Sequence, residues 1–146
     1  MKSTGLAALA VFVASASAAL ADPPPQLRAG EWETRNDNGP AHRICERNDH
    51  AFDAVAVNRM LSAGGTKCAP AEVHTSGPVT TYSSTCVIAG GRLTTHGVMT
   101  SHGPDAYTSR SQSHYEGGTM KLPDMDMTQV SRRLGPCQPG DTISKY

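Results

Sequence analysis

Hydrophobic positions follow three different rhythms along the chain, and each predicts a different kind of element. After Lys2, residues 5–14 read GLAALAVFVA without a polar break, and the stretch ends on the small residues Ala19-Leu20-Ala21 before Asp22. Over 49–63 the apolar residues Phe52, Val55, Ala56, Met60 and Ala63 recur at helical spacing. The pattern predicts one helix, started by Asn48 or Asp49 and stopped by Gly64-Gly65. Elsewhere the period is two. The segment 27–35 carries Trp32 between Glu31 and Glu33, so a strand there buries the ring and turns both carboxylates to a solvated face. Turn formers at 36–40 (NDNGP) separate it from a short second strand at 42–45.

From Val79 onward the chain is rich in Ser and Thr and punctuated at Gly90-Gly91, at 102–105 (HGPD) and at 116–118 (EGG), which predicts an antiparallel meander. A two-residue turn at Gly90-Gly91 would pair Ile88 with Leu93, Cys86 with Thr95 and Tyr82 with Met99 on a buried face. Val87 with Thr94, Thr85 with His96 and Thr81 with Thr100 would form the wet one. Tyr107 to Tyr115 alternates in the next strand, whose register follows from burying the tyrosines. A last strand is expected over 127–134. The fold class read from these patterns is α+β and mainly β: a curved antiparallel meander with one helix.

The leading run changes the picture of where the chain works. Its uninterrupted apolar core is roughly 10 residues, against about 20 for a membrane-spanning helix. With the basic start and small-residue end, residues 1–21 read as a secretory signal peptide cleaved after Ala21, with Ala18 as a second candidate. Residues 22–146 are then a single exported domain, periplasmic or secreted, with Pro23-Pro24-Pro25 as a short extended spacer. No Cys follows either cleavage site to take a lipid, and no later apolar run reaches spanning length.

Large apolar residues are scarce beyond the leader, so the core is thin, and the four cysteines gain weight accordingly. Cys45, Cys68, Cys86 and Cys137 are an even number in a small exported chain, without C-x-x-C spacing, which favours two structural disulfides over a metal or redox site. Three connectivities are open. Cys45 with Cys68 and Cys86 with Cys137 is preferred, because the first pair brackets the helical segment. On loop entropy those bridges would contribute about 3.4 and about 4.1 kcal/mol, comparable with the net stability of a small domain.

The order of features, Gly30-Glu31-Trp32-Glu33, Cys45 and Cys68 around a helical segment, Cys86 in a strand, then Arg132-Arg133-Leu134-Gly135-Pro136-Cys137, resembles the exported bacterial proteins of the domain of unknown function 3617 family. The resemblance spans nearly the whole chain after the leader. It implies a mostly β exported domain with structural cysteines and no assigned activity, and it carries over no catalytic residue.

Charge and motif content narrow the function further. With 13 basic and 13 acidic residues the chain lacks the cationic field of a nucleic-acid binder. The G-x-S-x-G elbow is absent, and Ser101-His102 and Ser113-His114, being adjacent on strands, point to opposite faces. Glu31 and Glu33 would lie roughly 6.5–7 Å apart on one strand face, a carboxylate separation used in glycoside hydrolysis, but without the aromatic platforms of a sugar cleft. No enzyme and no cofactor is expected. Trp32, Tyr82, Met99, Tyr107 and Tyr115 are the natural lining of a pocket for a small apolar ligand, if they do not simply fill the core. The expected function is non-enzymatic small-ligand binding or interaction with an envelope protein. The alternative is a periplasmic soft-metal, copper-binding protein that uses Met120, Met125 and Met127 with His96 and His114, near Asp124 and Asp126. On the other reading these methionines pad the core.

Overall fold

The computed structural model describes residues 22–37, 39–63 and 66–144; the leader expected at 1–21 lies outside them. In chain order the elements are β1 (Gln26–Leu27), β2 (Gly30–Asn36), β3 (His42–Glu46), β4 (His50–Ala51), α1 (Ala54–Leu61), β5 (Lys67–Cys68), β6 (Glu72–Ser76), β7 (Val79–Ile88), β8 (Gly91–Ser101), β9 (Ala106–Glu116) and β10 (Met125–Gly135). Among the described residues the domain is mainly β with one helix, as the patterning predicts. An open 8-stranded antiparallel sheet runs β3-β2-β10-β9-β8-β7-β5, with β6 also on β7, and β1 pairs β4 in a separate ribbon. The last strand therefore closes on the first long one. β10 lies between β2 and β9, with Ser131 opposite Thr34 on one side and opposite Tyr107 on the other.

One sheet face carries the core. Trp32, Tyr82, Cys86, Met99 and Tyr115 are buried there, together with Thr80, Ser84, Thr95 and Ser131. Hydroxyls replace the missing aliphatics. Most of them satisfy one another across strands, Thr34 with Ser131 at 2.8 Å, Thr75 with Thr80 at 3.0 Å and Thr95 with Ser113 at 2.8 Å, while the Ser84 hydroxyl is buried without a partner among the described residues.

The expected β7–β8 register is corrected by two residues. The turn is Ala89-Gly90, both at positive φ (48° and 76°), and it pairs Ile88 with Gly91, Cys86 with Leu93 and Tyr82 with Gly97. A shift of two preserves which side chains face inward, and Val87 and His96 stay exposed as expected. The register is chosen by packing. A Cβ on Gly97 would lie 2.1 Å from the Tyr82 ring, so only this pairing gives that ring a bare backbone to lie against.

The preferred cysteine pairing is also overturned: the bridges are Cys45–Cys137 and Cys68–Cys86. Cys68 sits directly opposite Cys86 in the β5–β7 ladder, so the chain leaving α1 is stapled to the sheet. Cys137 reaches edge strand β3 by crossing β2 at Gly30, where a Cβ would meet the Gly135 carbonyl oxygen at 2.3 Å. The crossing continues past the edge. Cys45 donates its N–H to the Thr142 carbonyl, and Ser144 donates to the Cys45 carbonyl, adding a short parallel bridge at Ile143.

Candidate ligand-binding site

The helix is shorter than the periodicity implied and presents a different face to the interior. It starts at Ala54, because Asp53 rather than Asn48 or Asp49 is the cap, its carboxylate accepting the Ala56 N–H at 2.9 Å. Within α1 the buried residue is Val57, at 0% exposure. Val55 and Met60, expected on the core face, are 62% and 42% exposed. Their apolar stripe looks into a cavity of about 780 Å³ between the 47–60 segment and the sheet.

The opposite wall is the end of the sheet. Trp32 on β2, Ile44 and Glu46 on β3 and Tyr107 on β9 share the inward face, fixed by the pairing of Trp32 with Ile44 and Gly30 with Glu46. Trp32 is held by its indole N–H, which donates to the Arg28 carbonyl at 2.9 Å, and its ring centroid is 5.8 Å from that of Tyr107, tilted by 42°. Burial pushes the Tyr107 phenol up from its ordinary pKa, with the nearby Glu46 charge acting in the same direction. The β1–β4 ribbon anchors the helical wall: Phe52 donates its N–H to the Pro25 carbonyl at 3.0 Å, and Ala29 donates to Asp49 Oδ1 at 2.7 Å. Phe52 then spans from this wall toward Tyr82, with ring centroids 6.5 Å apart.

Of the five residues expected to line a pocket, Trp32 and Tyr107 meet at this cavity, while Tyr82, Met99 and Tyr115 are not on its lining. Met99 is fully buried. Tyr82 covers Gly97, and Tyr115 packs against Gly91 and Gly118 with its hydroxyl donating to the Ile88 carbonyl at 3.0 Å, so these three fill space. Sequence reading missed Ile44, Phe52, Val55 and Met60 as lining residues. The last three were visible as a helical stripe, but periodicity reports that a face is apolar, not whether protein covers it.

The other candidate groups stand apart from the cavity. Glu31 and Glu33 do not form a solvated pair: Glu33 is 4% exposed, with Arg35 and Arg132 each at 3.0 Å and Arg43 at 3.3 Å. Arg132 opposes Glu33 from β10 and Arg43 opposes it from β3, so the sheet register assembles the cluster. Hydrogen bonds from Arg132 and then Arg35 hold the Glu33 carboxyl below its usual pKa, the reverse of what a general acid requires.

Met120, Met125 and Met127 are exposed rather than packed in the core. Met125 pairs with Ser113 and Met127 with Ser111, whereas His96 shares Gln112 and Asp126 on the opposite face, and His114 lies on that face too. His114 Nδ1 contacts Asp124 at 2.6 Å. Among the described residues, the one three-residue grouping with metal-ligand spacing is Cys45, Cys137 and Asp141, whose two sulfurs are bonded to each other. The His102 contact with the Thr108 hydroxyl at 3.2 Å lies at the exposed end of the β8–β9 hairpin. No described helix is long and apolar enough to cross a membrane.

Comparison with known proteins gives one match. Residues 27–137 fit the family model described as protein of unknown function (DUF3617), and no curated protein and no solved structure matches.

Proposed function

Starting from the family to which the chain belongs, DUF3617, we propose that this protein is an exported, non-enzymatic domain that binds a small apolar molecule between α1 and the β3-β2-β10-β9 end of its sheet. The observation that carries the reading is the cavity of about 780 Å³, within the range of small-molecule sites, whose mouth exposes Val55, Met60 and Ile143. An apolar mouth above aromatic rings gains free energy when a ligand displaces water from it. The expected leader at 1–21 and the two bridges support a periplasmic or secreted setting, where disulfides persist. A copper site built jointly from Met125, Met127, His96 and His114 is the weaker reading, because the sheet separates the thioethers from the imidazoles.

The test is a titration with N-phenyl-1-naphthylamine, a neutral apolar dye whose emission rises out of water. Saturable enhancement is expected, and Ala56→Trp, which fills the cavity from α1, should abolish it while the circular dichroism spectrum holds. Enhancement that is absent in the parent protein, or unchanged in Ala56→Trp, overturns the site.

A further inference from the structure

Resting on that cavity reading, we infer that the bound molecule is a small organic cation, an amine on an apolar body, with Glu46 as the group that recognises its charge. The charged groups on the lining, Glu46 excepted, are already solvated or hydrogen-bonded. Arg47 and Arg59 line the cavity but are exposed, so water solvates them and they gain little from a ligand anion. Asp49 and Asp53 face it as well, and each already accepts a backbone N–H, from Ala29 and Ala56. Glu46 differs from all four. It is half-buried on the cavity wall, and among the described residues its carboxylate has no hydrogen bond and no ion pair.

The neighbouring cation, Arg133, lies over Gly30, which pairs with Glu46, but donates to the Ala29 carbonyl at 2.6 Å. The Glu46 carboxylate therefore has its acceptor oxygens free, and an ammonium group entering the cavity would take them up in charge-assisted hydrogen bonds. Glu46 lines the same cavity as the adjoining Tyr107 and Trp32 rings, so a head group at Glu46 leaves the ligand's apolar body to lie against them.

Three probes of one chain length separate this inference from the cavity reading: octylamine, octanol and octanoate, each displacing the naphthylamine dye at pH 7. Octylamine is expected to compete at least about tenfold better than octanol, with octanoate weakest, and Glu46→Gln should bring amine and alcohol within about threefold while the dye still binds. Equal competition by amine and alcohol, a preference for octanoate, or an amine preference that survives in Glu46→Gln overturns the inference and leaves the apolar site standing. The ranking on the parent protein decides the matter even if Glu46→Gln fails to fold. A dye that never binds overturns both.

Discussion

The ring of Tyr82 on β7 lies across the bare backbone of Gly97 on β8, its directly opposite partner, so closely that a Cβ there would sit 2.1 Å from a ring carbon. This contact joins turn, register and core. It lets a buried tyrosine lie flat on the sheet where two facing side chains would collide, and it selects a pairing that leaves Ala89, not a glycine, at φ 48° in the turn.

Gly97→Ala is therefore expected to destabilise the domain by about 1–3 kcal/mol, the range for overpacking a filled core. Urea denaturation of the parent and variant measures it. A neutral substitution would mean that Tyr82 does not occupy this position in solution.

Ala89→Gly is expected to act in the opposite direction. A left-handed conformation costs an L-residue about 1–2 kcal/mol and glycine much less, while glycine's extra unfolded-state freedom returns part of the gain. A net stabilisation of about 0.5–1 kcal/mol should appear in the same assay. Destabilisation would instead favour the Gly90-Gly91 turn and its register.

The bridges make a sharper test. A non-reduced peptide map should link the Cys45 peptide to that of Cys137 and the Cys68 peptide to that of Cys86. With sequence separations of 92 and 18, loop entropy assigns about 4.7 and about 3.2 kcal/mol to the two bridges. Replacing Cys45 and Cys137 together should thus lower stability more than replacing Cys68 and Cys86. The reverse order would show that the C-terminal crossing contributes little.

His114 is held against Asp124, whose hydrogen bond and charge raise the imidazole pKa above its ordinary 6.5. Because the folded value exceeds the unfolded one, the stability from this pair is fully present below about pH 6.5 and is lost as the pH rises through the folded value. Proton NMR titration should place His114 above the ordinary range and return it there in Asp124→Asn. An unshifted His114 in the parent would mean that the contact is not maintained in solution.

Glu33 titrates with the opposite sign. Its carboxyl is held low by Arg132, Arg35 and Arg43, so its contribution is present above the ordinary carboxylate range and is lost as the pH falls through the lowered value. Glu33→Gln should flatten the acid limb of a plot of melting temperature against pH. An unchanged limb would show that the arginine cluster is not coupled to folding.

By itself the sequence determined the mainly β class, the lone helix segment, the β7 to β10 meander and which strand faces turn inward, because alternation and turn residues are local signals read within a few positions. It also carried the family resemblance that the match over 27–137 bears out. The Tyr82 register, the Cys45–Cys137 bridge and the closure of β10 on β2 were decided by tertiary contacts between residues far apart in the chain. The cavity followed the same division. Phe52, Val55 and Met60 were legible as an apolar stripe, and Trp32 and Tyr107 as buried rings. That the stripe stops short of the rings, leaving space lined by a half-buried Glu46, depends on where the β1–β4 ribbon sets the helix above the sheet, and no local pattern encodes that distance.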